Sequence, residues 1–207
     1  MRGLLLKDLL VLKSYIRTLG GMFAIYLAMG VAWNNVYFFA GMSGILCVMM
    51  VMSSFSYDHY AKWDKYGASL PVTRSDMVGA KYLLALVMMG IATVMTVLMY
   101  LVFILIRKGD FSTLLPIIFG TTASGVFLML VLLPCIFKFG PEKARLMLMM
   151  AGVMIALLVT LVVFLLPEDA DNQLLGRLLL MVIPIAEIVS FYFSYKLSCR
   201  IYTQKEL

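Results

Sequence analysis

Six apolar runs take up most of this chain, over residues 19–33, 36–55, 82–106, 114–137, 146–166 and 178–195. A helix needs about 20 mostly apolar residues to cross the hydrocarbon core of a bilayer, and all but the first run are of that order. Water is absent at that depth, so each run must close its own backbone hydrogen bonds as a helix. The first run is short. It counts as a span because a charged segment leads into it and Asn34-Asn35 leads out through a tight turn. The pattern predicts an all-α polytopic membrane protein with six transmembrane helices.

Composition agrees, with 63% hydrophobic and 14% charged residues, proportions foreign to a soluble domain. The spans leave little chain for a separate soluble unit, so residues 1–207 read as a single transmembrane domain. The formal net charge is +6, but its distribution argues against a nucleic-acid partner. Of the 17 Lys and Arg residues, all but Arg107, Lys108 and Arg177 fall on the two termini and on alternate connections. The positive-inside rule then places both termini in the cytoplasm, with attraction to anionic lipid as a secondary effect. Cys47 and Cys135 lie within spans and Cys199 in the tail. None is positioned to pair in an external loop, and their spacing matches no metal motif. The N-terminus is long and Leu-rich, and its apolar run is followed at once by another, which argues against a cleaved signal peptide.

Residues 1–18 are expected to form an amphipathic helix in the cytoplasmic interface. Leu5, Leu9, Leu12 and Ile16 recur at helical spacing, with Lys7, Lys13, Ser14 and Arg17 opposite. Asp8 falls on the apolar side, where it requires a cation. This helix reads either as a lipid anchor or as an elbow that also touches a partner. A stripe of small residues, Gly20, Ala24, Ala28 and Ala32, runs along the first span. Such stripes let helix backbones approach closely, within one subunit or at a dimer seam.

The longest connection, residues 56–81, joins the second and third spans and alternates aromatics with charges through Tyr57, Tyr60, Trp63 and Tyr66. Gly67 is expected to break a first short helix and Pro71 to force an extended step. Thr73 with Asp76 is a capping pattern for the next helix. Trp and Tyr mixed with Arg is interface chemistry, so a protein-docking surface is expected here, against the plainer reading of a solvated loop with interfacial aromatics. In 138–145, Gly140 ends one helix, Pro141 suits the first turn of the next and Glu142 its positive end.

Glu187 sits near the centre of the sixth span. A charge there costs roughly 2.5–3.5 kcal/mol on insertion scales, so it should face protein or water. Ser190 and Ser194 share its face, and Thr93, Thr96 and Tyr100 of the third span lie at similar depth. The group reads as a translocation-pathway lining, a structural hydrogen-bond donor or a proton carrier. A proton relay lacks a second titratable group in the membrane. No phosphate-binding loop, His-Glu-x-x-His or Cys-x-x-Cys occurs. The single histidine, His59, lies among aromatics. The chain is therefore expected not to be an enzyme by itself and to hold neither metal nor cofactor.

Leu-Leu-Leu-Lys-Asp-Leu at 4–9 precedes the spans. Ser-Tyr-Asp at 56–58, Lys-Trp-Asp-Lys-Tyr at 62–66 and Ser-Leu-Pro-Val-Thr-Arg at 69–74 join the second and third. This layout resembles, over the whole chain, the small type-2 permeases of ATP-binding-cassette (ABC) exporters. The closest likeness is to bacterial ones that export phenol-soluble modulins or confer resistance to antimicrobial peptides. The resemblance implies two ABC ATPase subunits carrying ATP and Mg, and a second permease, identical or paralogous. It also implies that the coupling segment docks on the ATPase through Tyr57, Asp58, Trp63, Asp64, Lys65, Pro71 and Arg74. Larger members carry re-entrant helices before the last span, for which the loop 167–177 is too short. Two other classes stay open: a membrane immunity protein that binds a toxin or sensor without transport, and an intramembrane enzyme.

Overall fold

The computed structural model describes residues 2–33, 35–69, 71–107, 114–165 and 172–204. These fold into eight helices: α1 (Arg2–Lys13), α2 (Ile16–Ala32), α3 (Val36–Tyr60), α4 (Trp63–Ala68), α5 (Arg74–Arg107), α6 (Leu114–Phe139), α7 (Pro141–Leu165) and α8 (Asn172–Thr203). Among the described residues, three stretches are long and apolar enough to cross a membrane: Tyr37–Tyr60, Arg74–Ile106 and Leu114–Phe139. The pair α1 and α2, bent by 63°, makes a fourth if it is one span. The loop expected at 167–177 is helix from Asn172 onward, and residues 166–171 lie outside the described residues.

Several helix ends differ from the apolar runs. The N-terminal helix does not run through residue 18. It stops at Lys13, the Tyr15 amide closes on the Leu12 carbonyl at 2.9 Å, and α2 begins at Ile16, which is exposed rather than on a buried face. In residues 56–81 the next helix starts beside the Thr73–Asp76 cap as expected, at Arg74, but the stretch holds more helix than its breaks suggest. That stretch is mostly helix, because α3 continues to Tyr60, α4 occupies six residues and α5 starts at Arg74. A hydropathy run ends where polar residues begin. A helix continues while its backbone can still bond i to i−4, and these extensions pack on one another. Gly67 lies inside α4, with its backbone against the tip of Met77, and does not break it.

Local signals set the junctions. Asn35 caps α3 by accepting from the Phe38 amide at 3.2 Å. Thr73 accepts from the Asp76 amide at 3.2 Å and donates to its carboxylate at 2.6 Å, a reciprocal cap. Gly140 takes φ +83°, a left-handed conformation suited to glycine, between α6 and Pro141. Lys62 also adopts positive φ, at 51°, where the chain turns from α3 into α4.

The main core lies where α1, α3, α5, α6 and α8 meet. Val48, Val51, Met52, Val78, Leu84, Met129, Leu132 and Leu133 are almost fully enclosed there. Gly125 brings α6 close enough for Met89 of α5 to lie on its backbone. Several polar bonds between helices lie in the interior. Ser43 of α3 meets Thr96 of α5 at 2.9 Å. The Tyr82 hydroxyl of α5 meets Ser194 and Ser198 of α8 at 2.7 and 2.8 Å, and Ser194 donates to the Leu130 carbonyl of α6 at 3.0 Å. Interhelical bonds in membrane proteins average about 0.6 kcal/mol and reach about 1.7. Tyr82→Phe is expected to lower unfolding stability in detergent within that range, and thermal unfolding of the purified variant checks it.

Candidate functional site

The most charged interior of the molecule lies beside α4. Asp8 of α1 is 2% exposed, on the helix face that carries Leu5, Leu9 and Leu12 into the core. Lys81 of α5, likewise buried, places its ammonium 3.0 Å from Asp8 Oδ1 and 2.5 Å from Asp58 Oδ2 at the end of α3. It also donates to Ser54 at 2.8 Å. Lys7 closes the figure, 2.6 Å from Asp58 Oδ1 and 3.2 Å from Asp8 Oδ1. Two carboxylates and two ammoniums thus alternate around a neutral square that joins α1, α3 and α5.

The square reaches α4 through an aromatic ring. The Lys7 ammonium stands 4.0 Å from the centre of the Trp63 ring, and Lys81 lies 4.9 Å from the ring of Phe55. A cation over an aromatic face contributes about 0.5–2 kcal/mol, more as it is desolvated. A small cavity of about 60 Å³ opens among these groups, with Phe55, Met77, Ile136, Phe137 and Tyr202 as its apolar wall. On the other side of His59 a cleft of about 320 Å³ joins Ser56, His59 and Tyr60 of α3 to Pro141, Glu142, Arg145 and Leu146 of α7. The connections 61–73 and 138–145 therefore share one end of the bundle.

The residues expected to dock a partner divide by where they point. Asp58 belongs to the charge square, and Trp63 turns inward over Lys7. Tyr57 shares a hydroxyl hydrogen bond with Tyr15 of the α1–α2 bend. Arg74 donates to the carbonyls of Thr203 at 2.7 Å and Tyr202 at 3.5 Å, so its cation caps the negative end of α8. Pro71 is exposed, and so are Tyr60 and Tyr66, at 74% and 59%. The side chains of Asp64 and Lys65 lie outside the described ones.

The residues grouped with Glu187 do not assemble around it. Thr96 is turned to Ser43, Thr93 donates to the Met89 carbonyl at 2.9 Å, and Ser194 faces Tyr82. Ser190 is exposed, and Glu187 is half-buried between the exposed Ile185 and Ile188. No hydrogen bond or ion pair joins it to another described residue. Gly20, Ala24, Ala28 and Ala32 all face outward from the chain, whereas Phe23 and Gly30 turn inward, toward Phe39 of α3. Packing against the described residues does not account for the stripe.

Sequence reasoning overlooked Lys7, Lys81 and Ser54 as members of a site. One signal pointed to them: the acid on the apolar side of α1 needed a cation. The rest comes from contacts 51 and 73 residues apart in sequence, which no periodicity reveals. Among the described residues no cluster of His, Cys, Asp and Glu has the make-up of a metal site.

A family model described as ABC-2 family transporter protein matches residues 3–203. The chain belongs to the ABC-2 transporter family. This makes it a multi-pass membrane permease component of an ABC transporter, partnered by an ABC ATPase subunit. No curated protein and no solved structure matches the chain. In this ABC-2 permease the charge square occupies the end of the bundle that carries α4.

Removing one member of a buried ion pair strands its partner and costs about 3–5 kcal/mol, while removing both costs far less. Asp8→Asn alone and Lys81→Met alone are each expected to destabilise the permease by that order. The double variant, which leaves Lys7 and Asp58 as a neutral pair, should recover most of the loss. Thermal unfolding of the four proteins in detergent measures the coupling. Additive losses would show that the square is not an energetic unit.

Proposed function

We propose that this chain is the permease subunit of an ABC exporter that moves an amphipathic peptide or similar hydrophobic compound out of the cytoplasm or inner leaflet. It would cross the bacterial plasma membrane six times with both termini in the cytoplasm. It would work with two ATPase subunits, which hold ATP and Mg and do the hydrolysis, and with a second permease, identical or paralogous. The observation that carries this reading is the family match over 3–203 together with a short helix held at one end of the bundle between two long ones.

In this scheme α4 is the coupling helix. Its outward residues, Tyr66 with Tyr60 and Pro71 beside it, meet the ATPase, and the α3–α7 cleft extends that surface. Asp58 and Trp63 stand behind it and set its pose. ATP binding draws the ATPase subunits together, α4 moves with them, and the long helices rock as rigid bodies between inward-open and outward-open states.

Glu187 supports a partner permease or a wet pathway on the α8 face. A carboxyl turned to lipid is costly, and the face around it is apolar and uncovered by the described residues. The exposed small stripe of α2 is a second surface suited to close helix contact.

Co-expression with the cognate ATPase, followed by co-purification and stoichiometry, tests the assembly. The expected complex holds two permeases and two ATPases. The permease alone should hydrolyse no ATP, and failure of any ATPase to co-purify would defeat the reading. Tyr60→Ala with Tyr66→Ala should reduce ATPase recovery several-fold without altering the permease's own thermal unfolding. Unchanged recovery would move the docking face elsewhere. Glu187→Gln should leave the pH profile of export unchanged, and a shifted profile would favour proton coupling.

A further inference from the structure

We propose that Lys7 ties the pose of α4 to the contact of α1 with anionic phospholipid, so that the charge of the bilayer surface regulates the permease. The inference rests on the permease reading above.

α1 has two faces. The inner one carries Leu5, Leu9 and Leu12 into the core and Asp8 into the charge square. On the outer one Leu6 and Leu10 are 60% and 58% exposed. Lys13 follows on the same side by helical spacing, and Arg17 lies just past the bend, both exposed. The 63° bend turns α1 away from the axis of α2. Leucines flanked by bases, on a helix turned away from the one that follows it, fit the headgroup region of an anionic leaflet.

Lys7 is the joint between that helix and α4. Its ammonium is held by Asp58 at 2.6 Å and Asp8 at 3.2 Å, and lies 4.0 Å from the Trp63 ring. Trp63 is the first residue of α4, which has only six residues and follows the left-handed turn at Lys62. A helix so short is placed by its anchors, and Trp63 on Lys7 is one of them. When α1 is drawn to the lipid surface Lys7 moves with it, and the Trp63 contact tightens or opens. Linked equilibria are reciprocal, so a partner that fixes α4 changes the affinity of α1 for lipid by the same factor.

The chain has two tryptophans. Trp33→Phe in the full-length protein therefore makes Trp63 its reporter. The protein is reconstituted in vesicles of phosphatidylcholine, or of phosphatidylcholine mixed with phosphatidylglycerol, and indole emission is recorded. Emission should differ between the two vesicles, and added salt should shrink the difference. Lys7→Met should abolish it and Lys7→Arg restore it. Lys13→Ser with Arg17→Ser should abolish it while leaving emission in phosphatidylcholine unchanged. In the complex with the ATPase, hydrolysis should change several-fold with phosphatidylglycerol, and not in Lys7→Met. Emission that ignores lipid charge, a lipid response that survives Lys7→Met, or hydrolysis indifferent to phosphatidylglycerol overturns the proposal. Failure of the ATPase to associate at all is read separately by co-purification. It would fail the permease reading while the emission result still decides the joint.

Discussion

A carboxylate that is 2% exposed has to be answered by positive charge, and Asp8 organises one end of this protein on that account. An ion removed from water loses several kcal/mol of solvation, recovered only through close, well-placed partners. Lys81 supplies the partner for Asp8, but a lysine enclosed among helices needs balance of its own, which Asp58 and Ser54 provide. Lys7 then completes a set with no net charge. Helices α1, α3 and α5 come together at this end because four charges have to be satisfied at once. Hydrophobic contact alone would tolerate other arrangements of similar apolar faces.

Much of the fold was legible where the chemistry is local. Asn35, the Thr73 and Asp76 pair, and Gly140 before Pro141 act within one turn of backbone, and each does at its junction what its residue type requires. Length was less legible. The runs 36–55 and 82–106 measure the apolar part of α3 and α5, yet both helices continue well into the connection between them, because helical bonding does not stop where lipid does. The amphipathic N-terminal segment was recognisable, but its end was not, since the bend at Ser14–Tyr15 separates two stretches with the same helical period. The membership of the charge square was hidden for another reason. Lys7 reads as one base of a polar face, and Lys81 as the last base of the connection 56–81. Only the crossing of α1 over α3 and α5 brings them together.

The candidate pathway shows the converse. Thr93 and Thr96 lie at the depth of Glu187 and Ser194 on its helix face, a grouping that suggests one polar site. Rotation about each helix axis separates them: Thr96 turns to α3, Ser194 to Tyr82, and Glu187 lies among exposed apolar residues of α8. A hydroxyl in an apolar interior takes the nearest acceptor, commonly its own helix carbonyl four residues back. Weak polar groups thus find partners within a subunit, and the acid is left for whatever covers α8.

Helix α5 carries a consequence beyond its own packing. Its 34 residues extend about 50 Å at 1.5 Å per residue, and no proline interrupts them. Arg74 fastens one tip to the close of α8, Lys81 fastens the next turns to α1 and α3, and Thr96, in the second half of the helix, meets Ser43. Such a rod does not shorten or fold in response to a push on its fastened tip. The displacement travels along it whole, so an event at one surface of the bilayer is felt at the other without bending in between.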